Sequence, residues 1–108
     1  MIFNTGAALL DAVVLSVVSI DEKGTYGYKI TQEVQKVIPV SESTLYPVLR
    51  RLLKDQCLES YDEQYQGRNR RYYKITPSGN AQLLIYKQEW REYTKKIDTL
   101  FEGGIHHE

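Results

Sequence analysis

The chain has 108 residues, enough for one domain with a modest core, and 42% of them are hydrophobic. Its formal net charge is zero, which excludes a uniformly basic nucleic-acid binder and makes the distribution of charge the informative quantity. Cys57 is the single cysteine, so an internal disulfide is impossible and we expect a reducing compartment, the cytoplasm.

The first apolar segment predicts a helix over residues 6–19. Its apolar side chains cover nearly the whole circumference, so the helix must be covered on more than one side, by its own domain and by a second element or chain. Asp11 and Ser16 interrupt the segment, which is too short to cross a bilayer and lacks the basic start of a signal peptide. We therefore expect no membrane partner.

A polar loop over residues 21–25 separates this helix from the next one. Thr25 is predicted to cap the second helix, and Pro39 ends it because the residue before a proline avoids helical dihedral angles. The predicted apolar stripe of this helix consists of Ile30, Val34, Val37 and Ile38.

The third helix is predicted to begin after Ser41 or Ser43. A proline is best tolerated in the first helical turn, so Pro47 favours Ser43 as the cap. Tyr46 and Arg50 lie away from the apolar stripe and are expected to be exposed. The stripe itself consists of Leu45, Val48, Leu49, Leu52 and Leu53.

Two short strands follow, over residues 58–64 and 70–75, with a polar loop between them that contains Gly67 and is followed by several arginines. Strand alternation puts Tyr73 on one face and Arg70 on the other. A helix, a hairpin and a basic tip in this order predict a winged helix-turn-helix. In that fold a helix reads bases in the major groove, while the hairpin tip contacts the DNA backbone or the minor groove.

The positions of the charges support this interpretation. Residues 46–76 contain seven basic and four acidic side chains, whereas the rest of the chain contains seven basic and ten acidic ones. This segregation orients one face toward phosphates although the net charge is zero. The alternative is a hairpin whose charges are only solvated.

The last helix is predicted to have Thr76 as its cap and Pro77 at its first position, and to run to about residue 101, where Gly103 and Gly104 stop it. Its apolar residues are spaced alternately by three and four positions, the pattern of a heptad seam. We therefore expect a homodimer through this helix, and the alternative is a helix that lies on its own domain. The seam consists of Leu83, Tyr86, Trp90, Tyr93, Ile97 and Leu100.

The predicted fold class is mainly α with a small β-hairpin. Residues 1–76 form a winged helix-turn-helix domain, residues 77–102 form a C-terminal dimerisation helix, and residues 103–108 form a disordered tail that includes His106 and His107. The chain shows no histidine base outside the tail, no glycine-rich phosphate loop and no paired Cys/His spacing. An enzyme, a cofactor and a metal site are therefore not expected.

Trp90 lies at the centre of the seam, with Tyr86 and Tyr93 one step to either side. Three large aromatic rings do not interlock like Leu and Ile, so we expect the paired helices to be held apart there. A crevice with two opposed indoles would suit a small flat aromatic effector by stacking. The alternative is that Trp90 fills a solid core. The candidate ligand-binding residues are Trp90, Tyr86, Tyr93, Leu9, Ala12 and Ser16.

Four parts of the chain carry a resemblance to a known family: TYGYKI, STLYPVLRRLLKD, GRNRRYYKITPSG and the Trp-bearing last helix. With these segments, over roughly residues 7–100, the chain resembles the PadR family of bacterial transcriptional regulators. It is similar to the short subfamily, in which one long C-terminal helix replaces a larger helical domain. The resemblance implies a homodimeric winged-helix repressor, with repression relieved by a small molecule. Two recognition helices on a two-fold axis predict a palindromic double-stranded DNA operator.

The resemblance also implies which residues bind DNA. A departure from the family pattern occurs at Gln56, where the family has glycine; if the backbone there is left-handed, Gln56 costs about 1 kcal/mol, so we expect the third helix to end differently. The competing function is a winged-helix protein-interaction module without DNA binding, which the arginines at the hairpin tip disfavour. The implied DNA contacts are Tyr28, Ser43, Thr44, Tyr46, Pro47 and Arg50, with Gly67, Arg68, Asn69 and Arg70 in the wing.

Overall fold

The computed structural model describes residues 6–103, which form four α-helices and a three-stranded antiparallel sheet. β3 lies in the middle of the sheet, between β1 and β2. The predicted fold class, a winged helix-turn-helix with a long C-terminal helix, is confirmed, and β2, β3 and their turn form the wing. In chain order the elements are α1 (Ala7–Ser19), β1 (Thr25–Tyr26), α2 (Gly27–Gln35), α3 (Glu42–Lys54), β2 (Leu58–Tyr65), β3 (Arg68–Ile75) and α4 (Pro77–Phe101).

The core forms where α1, α2 and α3 pack against one face of the sheet. α1 contacts both of these helices, β3 and also α4, which explains why its surface is apolar nearly all round. The predicted stripe of α3 is buried, apart from Leu53, which is half-buried. The most deeply buried side chains are Val14, Leu15, Val18, Ile30, Val34, Leu45 and Leu49.

A two-residue strand replaces the helix cap predicted at Thr25. Thr25 is buried and pairs with Tyr73 of β3, and α2 begins after Tyr26 without a side-chain cap. Gly24 allows this close approach, since it has a φ of 99° and a Cβ atom there would lie 2.6 Å from the carbonyl oxygen of Tyr73. The prediction was wrong because a strand of two residues has no periodicity. Val37 is also 69% exposed rather than buried, because α2 ends two residues earlier.

Ser41 caps α3, so the preference for Ser43 was wrong. The Ser41 hydroxyl accepts a hydrogen bond from the backbone N–H of Thr44 at 3.3 Å, and Pro47 lies inside the helix, beyond its first turn. Proline removes the N–H that would bond to the carbonyl of Ser43. Because Ser43 is exposed, water can solvate that carbonyl, and the helix tolerates the proline.

The end of α3 also differs from expectation. Gln56 has a φ of 63°, the left-handed conformation that glycine adopts most easily. The N–H of Gln56 donates to Leu53 at 3.0 Å and the N–H of Cys57 donates to Leu52 at 2.9 Å, which is the bond pair of a Schellman motif. The helix therefore ends in the glycine-type motif without glycine, at a cost of about 1 kcal/mol.

The turn of the wing is tighter than predicted. Gln66 and Gly67 have φ values of 52° and 79°, and Tyr65 pairs with Arg68 across the turn. A two-residue turn with two positive φ angles matches the twist of the flanking strands, so both strands extend to the tip.

α4 begins as predicted, with Thr76 as its cap and Pro77 in its first turn. The N–H of Gly79 donates to the Thr76 hydroxyl at 2.9 Å, and a Cβ atom at Gly79 would lie 2.0 Å from the carbonyl oxygen of Cys57. Within residues 6–103, no helix is long and apolar enough to cross a membrane. The helix ends at Phe101, and the predicted tail beyond residue 103, with both histidines, lies outside the described residues.

Candidate nucleic-acid interface

α3 presents its candidate DNA-reading residues on the side opposite the core. The Ser41 hydroxyl lies 2.9 Å from the Ser43 hydroxyl and 3.1 Å from that of Thr44. These hydroxyl groups surround the N-terminus of α3, where the helix dipole favours an anion such as a phosphate. The exposed residues of this face are Ser43, Thr44, Tyr46, Pro47 and Arg50.

A cleft of about 500 Å³ separates α3 from the wing and from the start of α2. Tyr46 of α3 lies against Gly27, where a Cβ atom would be 3.5 Å from the tyrosine ring. Tyr28 and Arg70 also line the cleft. The structure therefore brings candidate residues from three different elements to one surface.

The tip of the wing carries three more of the candidate residues, Gly67, Arg68 and Asn69, all exposed. The side-chain amide of Gln64 donates to the side-chain oxygen Oδ1 of Asn69 at 3.4 Å. Because the turn has only two residues, Arg68 and Asn69 belong to β3 rather than to a loop, and the strand fixes their backbone.

Arg70 is held between two tyrosine rings. Its guanidinium carbon lies 4.0 Å from the centroid of Tyr26 and 3.9 Å from that of Tyr65, distances typical of cation–π contacts. Tyr26 meets Tyr72 edge-on at 5.8 Å, and Tyr72 stacks on Tyr61 at 5.5 Å. This tyrosine row, on the face of the sheet away from the core, joins both wing strands to β1. Sequence reasoning missed it, although strand alternation puts Tyr61 and Tyr65 on one face of β2, and Arg70 and Tyr72 on one face of β3.

A second concave surface, the α1–α4 groove, has a volume of about 410 Å³ and a mainly apolar lining. Tyr93 does not appear in the lining, and its ring lies beside that of Trp90, with centroids 6.1 Å apart. The groove therefore assembles five of the six candidate ligand-binding residues, namely Leu9, Ala12, Ser16, Tyr86 and Trp90.

The heptad seam of α4 divides between the core and the surface. Leu83 is 4% exposed and packs in the chain's own core, whereas Trp90 is 40% exposed. Farther along, Ile97 is half-buried and Leu100 is 63% exposed. The apolar side of α4 thus becomes more exposed toward its C-terminal end.

Asp11 of α1 is only 7% exposed although it is charged. One of its carboxylate oxygens accepts a hydrogen bond from Arg51 of α3, and the other accepts one from the hydroxyl of Tyr86 of α4 at 3.3 Å. Burial raises the pKa of Asp11, and the Arg51 charge opposes that rise. Burial and the Asp11 charge raise the pKa of Tyr86 to about 12. A charge within an apolar helix was the sequence signal, but nothing in the pattern identified its partners.

The described part of the chain offers little other chemistry. No group of three side chains in residues 6–103 is suited to hold a metal ion. Cys57 is buried, and burial raises the pKa of its thiol, which favours the unreactive protonated form.

The fold and these surfaces define a winged-helix regulator with a long C-terminal helix. The model of the transcriptional regulator PadR-like family matches residues 14–84, so the chain belongs to the PadR-like family of transcriptional regulators. The resemblance carried by the sequence motifs is confirmed. Members of this family are transcriptional regulators, which confirms that the chain is not an enzyme.

Individual relatives match this chain over two thirds of its length or more. An uncharacterized protein from Lysinibacillus sphaericus is 37% identical over 99 residues, which cover 87% of this chain and 89% of the relative. A transcriptional regulator from Mycobacterium tuberculosis is 37% identical over 73 residues, 67% of this chain and 68% of its own. A solved Streptococcus mutans structure has a TM-score of 0.85 at 38% identity, with 100% of both chains covered. A PadR family transcription regulator from Clostridium difficile has a TM-score of 0.77 at 30% identity, covering 85% of this chain and 97% of that one.

Proposed function

We propose that this protein is a homodimeric DNA-binding repressor that a small planar hydrophobic molecule releases from its operator. The observation that carries DNA binding is the shared surface of α3, the start of α2 and the wing, at which Tyr28, Tyr46 and Arg70 meet. α3 enters the major groove, with Tyr46 and Arg50 toward the DNA, while the wing contacts the backbone or the minor groove.

The wing supplies the electrostatic part of the proposed interface. Arg68 and Asn69 lie at the exposed tip, beyond the tyrosine row that holds Arg70. A hairpin that is already ordered loses little conformational freedom on binding, so its phosphate contacts add to the affinity at a low entropic cost.

The dimer is proposed to form through the part of α4 that leaves the core. α4 has 25 residues and is therefore about 37 Å long. Near its end, Leu100 and Phe101 are 63% and 83% exposed, and an apolar surface of this kind favours an interface. The proposed contacts are Tyr86, Trp90, Tyr93, Ile97 and Leu100, with Leu83 at the edge.

The α1–α4 groove is the proposed effector site. Its volume of about 410 Å³ falls within the range of small-molecule sites, and Trp90 offers an indole face for stacking. A second copy of α4 would close the open side of the groove, so dimer formation and effector binding depend on the same helix. We expect the protein to act in the cytoplasm, where its operator is accessible.

Selection of DNA from a random duplex pool tests the proposed function. The recovered sequences are expected to contain an inverted repeat, with half-sites about one helical turn apart. Arg50→Ala is the matched control, because it removes an exposed side chain of α3 outside the apolar stripe. If the unaltered protein enriches no sequence, DNA binding is rejected and the protein-interaction module becomes the better proposal. If the protein and Arg50→Ala enrich the same sequence equally, only the role of Arg50 is rejected.

A further inference from the structure

The buried carboxylate of Asp11 is the point at which three helices are joined. Asp11 belongs to α1, and its two oxygens bind Arg51 of α3 and Tyr86 of α4. A charge that is 7% exposed needs such partners, because an unpaired charge removed from water is very costly. The positions of Arg51 and Tyr86 therefore depend on each other through one carboxylate.

The two partners of Asp11 belong to two helices that carry different proposed functional surfaces. Tyr86 forms part of the wall of the α1–α4 groove, one turn before Trp90. Arg51 follows Arg50 in α3, and its side chain is 44% exposed. A shift of α4 relative to α1 would change the distance from the Tyr86 hydroxyl to Asp11. A carboxylate that has lost this hydrogen bond would reorient, and its contact with Arg51 would pass the change to α3.

We propose that Asp11 is a positioning residue that holds α3 in its DNA-binding orientation and couples this orientation to occupancy of the α1–α4 groove. The inference rests on the proposed function, in which α3 reads DNA and the groove binds a planar molecule. A molecule that enters between α1 and α4 displaces the Tyr86 ring, so one carboxylate oxygen loses its donor and the carboxylate reorients toward Arg51. The Asp11 carboxylate then has two arrangements, one with the Tyr86 hydroxyl bound and one without it. Because both the groove and α3 contact this carboxylate, occupancy of the groove is coupled to the orientation of α3.

Tyr86→Phe tests this proposal because it removes one hydroxyl and leaves the ring in the groove wall. Affinity for the selected operator, measured without any effector, is expected to fall about two- to tenfold. Tyr72→Phe is the matched control, since it makes the same chemical change in β3, away from α4, and keeps the ring contacts with Tyr26 and Tyr61. It is expected to leave operator affinity unchanged.

A double-variant measurement separates coupling from simple loss of stability. In an Asp11→Asn background, Tyr86→Phe is expected to have no further effect on operator affinity, because the connection to Arg51 is already broken. Arg51→Gln breaks the connection at its partly exposed end and serves as a second background in case Asp11→Asn does not fold. Full additivity in a folded background, or a Tyr86→Phe protein with lower thermal stability and unchanged operator affinity, overturns the proposal.

Hydrogen exchange gives an independent measurement of the position of α3. Both Tyr86→Phe and saturation of the unaltered protein with the dye anilinonaphthalene sulfonate are expected to accelerate amide exchange in Glu42–Lys54, and the dye should add nothing to the variant. If the unaltered protein enriches no DNA sequence, the proposed function and this inference fail together. If it binds its operator and Tyr86→Phe changes neither affinity nor exchange in α3, the inference alone fails.

Discussion

Two surfaces of the molecule are built in opposite ways: the proposed DNA-facing end, formed by α3, the start of α2 and the wing, and the α1–α4 groove. At the DNA-facing end, a serine cap, a Schellman motif, a two-residue turn and a row of tyrosines hold polar and basic side chains on an ordered frame. The groove is a half-open apolar surface with Trp90 40% exposed on its wall. Water solvates an exposed polar surface well, whereas a large exposed apolar surface favours an occupant. One region is therefore ordered within a single chain, and we propose that a second copy or a ligand completes the other.

The junction between the two regions is where a substitution should have the largest effect. Gly79→Ala places a Cβ atom 2.0 Å from the carbonyl oxygen of Cys57, so α4 must move away from the end of α3. The free energy of unfolding is expected to fall by about 3 kcal/mol or more in urea or thermal unfolding. Gly67→Ala is the control, because its Cβ meets nothing within 4 Å and only the strain of a φ of 79° remains, about 1 kcal/mol. Equal losses in the two variants would contradict the packing described for Gly79.

Trp90→Ala is expected to weaken ligand binding in the groove without changing the proposed DNA-facing end. A planar dye is expected to bind at least about tenfold more weakly, because each aromatic pair contributes about 0.5–1.5 kcal/mol beyond its buried area. Operator affinity should remain close to that of the parent, as the wing and α3 are unchanged. Dye fluorescence and operator titration on the same variant measure both effects.

Two other outcomes of Trp90→Ala are informative. If the variant loses about 3–5 kcal/mol of stability and its dimer and DNA binding weaken together, Trp90 fills a solid core instead. If the variant is stable and binds the dye as tightly as the parent, the proposed effector site at Trp90 is rejected.

Alanine variants of Arg68 and Arg70 distinguish the two expected roles of arginine in the wing, contact with DNA and stabilisation of the fold. Arg68→Ala is expected to weaken binding to all DNA sequences and to lower the salt-dependence slope by about one, with no loss of stability. Arg70→Ala should also destabilise the fold, by about 1 kcal/mol, because it loses its contacts with Tyr26 and Tyr65. Salt titrations and thermal unfolding distinguish the two arginines, and identical stabilities would show that the tyrosine contacts contribute nothing.

The smallest expected effect concerns pH and Asp11, which lies between the two regions. Burial raises the pKa of Asp11, so the folded protein binds this proton more tightly than the unfolded chain does. The resulting stabilisation is fully present below the unfolded pKa and is lost as pH rises through the folded pKa. Relative to Asp11→Asn, which does not titrate, the free energy of unfolding of the parent should therefore fall over that interval. Urea unfolding at a series of pH values measures this, and a pH-independent difference would contradict the assignment.

Features that follow from a local repeat were predictable from the sequence. The apolar stripe of α3, the Thr76 cap of α4 and the opposite faces of Tyr73 and Arg70 were all predicted from residues within one element. Features that depend on distant residues were not predictable. Thr25 pairs with Tyr73 in a strand too short to show a pattern, so a helix cap was expected there.

The groove and the buried contacts of Asp11 also show that features formed by distant residues were hard to predict. Trp90 was singled out because it lies at the centre of an aromatic seam, and the groove that it lines forms mainly against the adjacent α1. The contact of Asp11 with Tyr86 joins residues 75 positions apart, and no local pattern encodes it. The ending of α3 at Gln56 was missed for another reason, since local hydrogen bonds outweighed the cost of a left-handed glutamine.

Sedimentation velocity at low micromolar concentration, with and without the selected operator duplex, tests the central claim most directly. The claim is that one chain completes the DNA-facing end, while α4 and the groove are completed by a second chain. The account predicts a dimer in the absence of DNA and two chains on each duplex, since obligate dimers often lack a stable folded monomer. A well-folded monomer that binds its operator as a single chain would contradict the account.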